Sequence, residues 1–267
     1  MAGIRQFLAG AAVFVWIRAR GPVTISRVHW RSAFVIGVVL LGVGNGGLSW
    51  AEQRVPSGIA SLIIASIPAW FVIMQLVQRT AKPTRQTIGG LALGSIGTLI
   101  LVDPARLSGT GGVDLVGAVV LLLAAMGWAF GSLYSRTAEQ ASPIMLATGL
   151  QMMAGGAVLI GFGIATGELA SFSLAGISLK SLLALGYLIC FGSLVGYSSY
   201  IWLLKVSKPS NVATYAYVNP VIAVILGWLV AGEPMNARVV LATVVTVGAV
   251  ALITGSSIRR FARAGRA

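Results

Sequence analysis

A chain of 267 residues with 57% hydrophobic residues, 9% charged residues and a mean hydropathy of +0.91 has more apolar surface than a soluble globule of its size can bury, which excludes a water-soluble fold. Its net charge of +13 would indicate nucleic acid if basic and aromatic side chains shared one surface, but the basic residues collect between apolar stretches, where they set orientation in a bilayer instead. The single cysteine, Cys190, excludes a disulfide framework and a thiolate metal cluster, and its position inside an apolar stretch reads as a small packing residue.

A hydrocarbon layer about 30 Å thick asks for roughly 17 to 25 apolar residues per helix. The chain supplies nine such stretches: Gln6–Ile17, Ala33–Ala51, Ser57–Val77, Thr87–Val102, Leu115–Tyr134, Pro143–Thr166, Leu182–Leu204, Asn211–Ala231 and Val239–Thr254. The first is short, and "MAGIRQFLAGAAVFVWIRARG" also has the outline of a signal peptide. It lacks a small-x-small cleavage pattern, however, and "RARG" stands where processing would occur. The connections are mostly short, so the sequence predicts an all-α membrane protein: one polytopic helix bundle with nine visible transmembrane helices and no soluble domain.

In the second span, "GVGNGG" (Gly42 to Gly47) satisfies G-x-G-x-x-G, but no strand precedes it, so the dinucleotide reading fails its context. Its glycines instead suit close helix approach, as do the pairs Gly127 with Gly131 and Gly192 with Gly196, each four residues apart. Placing the C-terminus in the cytoplasm and alternating sides backwards assigns 14 of the 19 basic residues to the cytoplasmic face. Those are Arg18, Arg20, Arg27, Arg31, Arg79, Lys82, Arg85, Arg136, Lys205, Lys208, Arg259, Arg260, Arg263 and Arg266. The other face receives 5: Arg5, Arg54, Arg106, Lys180 and Arg238. This is a strong positive-inside pattern.

Two segments resemble each other. "VPSGIASLIIASIPAWFVI" (Val55 to Ile73) and "KPSNVATYAYVNPVIAVI" (Lys208 to Ile225) both run Pro-Ser, then Ala three residues after that Ser, then a mid-span proline. Pro56 leads Pro68, as Pro209 leads Pro220. The charge pattern sends the two segments through the membrane in opposite senses, so the halves are predicted to be inverted repeats.

Four stretches carry a family resemblance: "WAEQRVPSGIASLIIASIP" (Trp50 to Pro68), "AAMGWAFGSLYSR" (Ala124 to Arg136), "LALGYLICFGSLVGYSSYIWLLK" (Leu183 to Lys205) and "PSNVATYAYVNPVIAVILGWLVAGEP" (Pro209 to Pro234). They resemble the EamA-type transporters of the drug/metabolite transporter superfamily, across essentially the whole chain. The resemblance implies ten helices in two inverted five-helix repeats, both ends cytoplasmic, and a central substrate cavity. "GIRQFLAG" looks like the start of that family's second helix, so the visible arrangement is 4 + 5 of an expected 5 + 5, with residues 1–106 as the first repeat and 107–267 as the second.

Polar groups inside a hydrocarbon layer are costly unless they pair or face water, which makes intramembrane polar positions functional candidates. Pro220 lies near the middle of its span, where it removes a backbone donor, and Tyr215, Tyr217 and Asn219 stand within two turns of it. The segment therefore reads as a cavity-lining helix with a local irregularity. On a helix Tyr215 and Asn219 share a face while Tyr217 points away toward a packing neighbour. The substrate-cavity candidates are Asn45, Ser49, Trp50, Pro68, Trp128, Ser132, Tyr197, Tyr215, Asn219 and Pro220; Tyr187 and Tyr200 carry a weaker signal, since tyrosine also collects in interfacial belts. The same side chains also serve as interhelical hydrogen-bonding groups in a purely packing reading. All six acidic residues, Glu52, Asp103, Asp114, Glu139, Glu168 and Glu233, fall at span ends or in loops, so no buried proton-relay acid is visible. Glu52 is the candidate coupling group, against a plain helix-end charge paired with Arg54.

An intramembrane enzyme needs a nucleophile with a base, an acid pair or metal ligands, and the only histidine, His29, reads as a loop residue. The chain also lacks a Walker motif, so no cofactor, metal or nucleotide site is expected. The favoured expectation is a secondary transporter in the inner or plasma membrane, C-terminus cytoplasmic, moving small metabolites by alternating access. The resemblance implies export of amino acids or similar solutes. The alternative is a non-transporting membrane scaffold or sensor. The expected partners are a small-molecule solute and the lipid bilayer, with no nucleic acid and with room for a homodimer.

Overall fold

The computed structural model describes residues 1–55, 57–101, 114–168, 178–231 and 237–264. Among them there is no strand. The helices in chain order are α1 (Ala2–Arg20), α2 (Arg27–Ala51), α3 (Ser57–Ile64), α4 (Ile67–Val77), α5 (Arg85–Leu101), α6 (Leu115–Thr137), α7 (Ile144–Ala165), α8 (Leu179–Val206), α9 (Pro209–Ala213), α10 (Tyr215–Ala231) and α11 (Ala237–Ala264). Seven candidate membrane spans, by length and composition, are found among the described residues. The remaining expected spans are occupied by α5 and α10, 17 residues each. Pro56, Asp103, Arg106, Glu233, Pro234 and Arg266, used in the sequence reading, lie outside the described residues, as does the boundary between residues 106 and 107.

Helix ends run past the apolar cores because charged residues at the termini still satisfy the backbone. α1 takes in Arg18 and Arg20, and α2 begins at Arg27, before its apolar run. The start of α2 also corrects the placement of His29, which is not in a loop but in the helix's first turn. Ser26 Oγ accepts from the His29 backbone N–H at 3.2 Å while the Ser26 N–H donates to His29 Nδ1 at 3.3 Å, a capping box with histidine in the usual Glu/Gln position. His29 Nε2 then faces Glu139 Oε1 at 3.5 Å.

Two spans depart from α geometry in the same way. In α2 the α-helix Arg27–Ile36 gives way to ten π-helical residues, Gly37–Gly46, before Gly47–Ala51 returns to α. In α8 the α-helix Leu179–Tyr187 gives way to ten π-helical residues, Leu188–Tyr197, before Ser198–Val206. π geometry is rare and normally limited to a single turn. "GVVLLGVGNG" carries four glycines and "LICFGSLVGY" two, which reduces side-chain crowding in the wider spiral.

The chain forms two compact units, one of Met1–Ser49 with Phe130–Val206, the other of Trp50–Ala129 with Ser207–Ala267. In the first, α7 is the organising helix. A Cβ added at Gly10 would lie 2.6 Å from the carbonyl oxygen of Gly149, one at Gly156 2.5 Å from the backbone nitrogen of Phe7, and one at Gly155 2.5 Å from the carbonyl oxygen of Gly37. One at Gly37 would collide with the Gln151 carbonyl oxygen. The backbones of α1, α2 and α7 thus touch along a seam of small residues, with α1 antiparallel and α2 parallel to α7. In a bilayer, where lipid competes for apolar contact, such proximity is what dispersion and close packing reward. The seam differs from the expected pairs: Gly192 and Gly196 bring no second backbone close, and Gly131 meets the side chain of Leu40. Cys190, expected to pack, is exposed, because little of α8 is covered within the chain.

In the second unit α5 and α11 run antiparallel, with Gly90 against Ile253 and the carbonyl of Ala249, and Gly97 against Thr246. Tyr217 of α10 lays its ring over Gly94, where an added Cβ would sit 2.7 Å from the ring. It is 1% exposed, and its hydroxyl donates to the Leu91 carbonyl at 3.4 Å. The irregularity expected at Pro220 lies elsewhere: α10 runs through Pro220, and the break falls six residues earlier at Thr214, whose Oγ1 donates to the Asn211 carbonyl at 2.7 Å. Pro68 sits in the first turn of α4, just after a break at residues 65–66 where Ser66 Oγ donates to the Ile63 carbonyl at 2.5 Å. In both places the hydroxyl joins its own backbone N–H on the carbonyl three residues earlier, Ser66 N–H reaching Ile63 at 3.0 Å and Thr214 N–H reaching Asn211 at 3.3 Å. Proline is tolerated in a first turn because the donor it lacks has no intrahelical acceptor there.

Candidate functional site

The polar side chains of the first unit organise around Gln151, at the centre of "LATGLQMMAGG" in α7. Gln151 is 0% exposed. Its Oε1 accepts from the Tyr197 hydroxyl at 2.8 Å, and its Nε2 donates to Gln140 Oε1 at 3.0 Å. Gln140 Nε2 in turn donates to the Ser135 carbonyl, and Ser135 Oγ donates to the Ser132 carbonyl at 2.8 Å. Ser132 Oγ and the Tyr200 hydroxyl lie 2.7 Å apart. One connected chain of hydrogen bonds therefore ties the end of α6, the loop before α7, α7 itself and the π segment of α8. Ser132, Ser135, Gln151, Tyr197 and Tyr200 are all buried. In a low-dielectric setting a buried network of this kind is stable only while every member stays paired.

Beside it, Thr148 Oγ1 and Ser198 Oγ stand 3.4 Å apart among the residues lining an open groove of about 240 Å³, with Ile144, Met145, Ser199 and Trp202 completing its wall.

A second polar group sits where α1 meets both π segments. Arg5 Nη2 donates to Asn45 Oδ1 at 3.2 Å, and a Cβ added at Gly192 would lie 4.0 Å from Arg5 Nη1. Gln6, 2% exposed, and Ser193, 0% exposed, are their immediate chain neighbours. Arg5 Nε, Gln6 Oε1 and Ser193 Oγ are buried atoms without a hydrogen-bond partner among the described residues.

The second unit brings together Trp128 and Tyr215, whose ring centroids are 6.4 Å apart at 50°, the tilted arrangement that aromatic quadrupoles favour. Both rings are half-buried, whereas Asn219 is exposed and Pro68 buried. Trp50 lies under the Arg54 guanidinium, 4.1 Å from the ring centroid, so Arg54 engages an aromatic face, and the ion pair found among the described residues is His29 with Glu139 rather than Arg54 with Glu52. Ser49 ends up half-buried in α2.

The candidates thus fall into three groups: Ser132 and Tyr197 in the Gln151 network, Asn45 with Arg5, and Trp128 with Tyr215. The residues that sequence reasoning missed are Gln151, Gln140, Arg5, Gln6 and Ser193. A signal for two of them was present in the chain: "QFLAG" from Gln6 and "QMMAG" from Gln151 share Q-x-x-A-G. Arg5 reads from the sequence only as a charge at a span end. All these groups are hydrogen-bonding and aromatic, suited to holding a solute, and no cluster of three or more His, Cys, Asp or Glu exists among the described residues.

Comparison with known proteins agrees with that chemistry. A profile of the EamA-like transporter family matches residues 1–103 and 115–255. The chain is 35% identical over 256 residues to the uncharacterized inner membrane transporter YedA of Escherichia coli K12, covering 95% of this chain and 80% of that protein. It is 27% identical over 257 residues to the chloroplastic WAT1-related protein At3g02690 of Arabidopsis thaliana, covering 95% of this chain and 62% of that one. A solved crystal structure shares the fold at TM-score 0.75 and 17% identity, covering 95% of this chain and 86% of the other.

Proposed function

The chain belongs to the EamA-like transporter family, and from that premise we propose that it is a secondary transporter exporting small metabolites such as amino acids by alternating access around a central cavity. It is an all-helical, multi-pass membrane protein, and its family and relatives are transporters rather than enzymes. The observation that carries the finer reading is the pair of ten-residue π segments, Gly37–Gly46 and Leu188–Tyr197. Each follows an α segment of nine or ten residues and precedes a further α segment, of five residues in α2 and nine in α8. A span that must change shape during a transport cycle needs backbone hydrogen bonds that rearrange cheaply, and π stretches place those bonds outside the α register.

The matching position of the two segments supports an inverted repeat, with residues 1–106 as a first, four-span repeat and 107–267 as a second, five-span one. It likewise supports nine spans and a pseudo-two-fold axis relating Ser57–Val77 to Asn211–Ala231. On the charge pattern the C-terminus is cytoplasmic. The substrate-contact candidates are Asn45, Ser49, Ser132 and Tyr197 in the first unit and Trp50, Pro68, Trp128, Tyr215, Asn219 and Pro220 in the second, with Glu52 the candidate coupling group.

The test is uptake into proteoliposomes across a panel of radiolabelled amino acids and metabolites. At least one should accumulate, and Asn219→Leu should abolish its transport while membrane insertion and thermal stability are unchanged. A panel that never moves would overturn the transporter reading, and wild-type rates in Asn219→Leu would make Asn219 a packing residue.

A further inference from the structure

A guanidinium inside an apolar helix is expensive to desolvate, and proteins normally offset that cost with a carboxylate. Arg5 has none: among the described residues no acidic group pairs with it, and the one hydrogen bond its guanidinium makes there goes to the neutral amide oxygen of Asn45. Its Nε is left unpaired in a buried position. Two further buried polar atoms are orphaned as well: Gln6 Oε1, on the residue that follows Arg5 in α1, and Ser193 Oγ, on the residue that follows Gly192, where an added Cβ would lie 4.0 Å from Arg5 Nη1. Of these, Arg5 Nε and Ser193 Oγ are donors without an acceptor, one on α1 and one on the π segment of α8 that packs against it, and buried donors left open on two touching elements indicate a place where something else supplies the acceptor. The junction is also where the two π segments meet α1: Asn45 belongs to one and Ser193 to the other.

We propose that Arg5, Asn45 and Ser193 form a binding site for the carboxylate group of the transported solute, an inference that rests on the transporter reading. A carboxylate against Arg5 neutralises the guanidinium and accepts from the orphaned Nε, and the Ser193 hydroxyl donates to it. The planar fork of arginine matches a carboxylate, and a single guanidinium with neutral companions balances one negative charge rather than two. That selects a monoanion over a phosphate dianion. Binding a carboxylate between the two π segments would also couple occupancy to the parts of α2 and α8 that rearrange most easily.

The experiment compares isosteric probe pairs, benzoate with benzamide and acetate with acetamide, binding to the full chain in nanodiscs, followed by tryptophan fluorescence. The wild type should prefer the carboxylate of each pair by about tenfold or more, the order expected of a hydrogen bond to a charged group. Arg5→Gln should bring the ratio close to one, Arg5→Lys should keep part of it, and Ser193→Ala should lower carboxylate affinity alone. The last two variants preserve a test if Arg5→Gln fails to fold. A wild type without the preference, or an Arg5→Gln protein that retains it, overturns the proposal. Repeating the titration in phosphatidylcholine discs with and without phosphatidylglycerol separates the other source of a monoanion. If the lipid abolishes the carboxylate preference and binds in an Arg5-dependent manner, the occupant is a lipid headgroup and the proposal falls. Because the ratio is read without transport, a protein that shows it yet moves no solute would sink the transporter reading and leave this site standing.

Discussion

Replacing Gln151 by methionine keeps the side-chain length and volume but deletes both hydrogen bonds of a residue that is 0% exposed. The Tyr197 hydroxyl loses its acceptor at 2.8 Å, and Gln140 Oε1 loses its donor at 3.0 Å. An orphaned buried polar group costs about 1–3 kcal/mol in soluble proteins, while interhelical hydrogen bonds in membrane proteins average about 0.6 kcal/mol because the unfolded chain in the membrane also finds partners. Two orphans therefore place the loss between about 1 and 6 kcal/mol, and burial of the whole network favours the middle of that range, about 2–4 kcal/mol. Adding Tyr197→Phe removes one orphan and should return about 1–2 kcal/mol, so the double variant should be more stable than Gln151→Met alone. Reversible unfolding of the purified protein in mixed micelles, run on the wild type, both single variants and the double, measures the coupling. If Gln151→Met unfolds like the wild type, or if Tyr197→Phe adds its own loss in full, the network carries no coupled stability and the reasoning fails.

Gly155→Leu should prevent accumulation of folded protein, since a Cβ there would lie 2.5 Å from the Gly37 carbonyl oxygen; Gly161→Leu, on the same helix with nothing within 4 Å, should be neutral, and size-exclusion profiles of detergent extracts distinguish the two. Gly94→Val should cost about 1–3 kcal/mol by displacing the Tyr217 ring, and pairing it with Tyr217→Leu should recover most of the loss in the same unfolding assay. In a Cys190→Ser background, cysteines introduced near Arg79 and near Arg260 should react only with reagent admitted to the cytoplasm. Labelling of either by an impermeant maleimide from outside intact cells would reverse the topology.

Hydrophobicity and charge are local quantities, which is why the apolar stretches, the all-helical class and the family could be read from the chain alone. A helix that crosses a bilayer satisfies its own backbone hydrogen bonds, so its existence depends on composition over about 20 residues and hardly on its neighbours. The position of Tyr217 was legible for a related reason, since helical periodicity alone separates its face from that of Tyr215. The break near Tyr215 differs from the expected place because proline is easy to see in a sequence, whereas the interruption occurs at Thr214, whose hydroxyl and backbone N–H both donate to the Asn211 carbonyl and leave no composition signal. The π segments were invisible for the same reason, as "GVVLLGVGNG" is equally apolar in either helical register. Pairings between helices depend on which residues tertiary packing brings within hydrogen-bonding distance. Gln151 meets Tyr197 across 46 residues and Arg5 meets Asn45 across 40. No spacing rule reaches that far, so composition determined that this chain crosses a membrane, and only the tertiary structure decided which of its buried polar groups found partners and which did not.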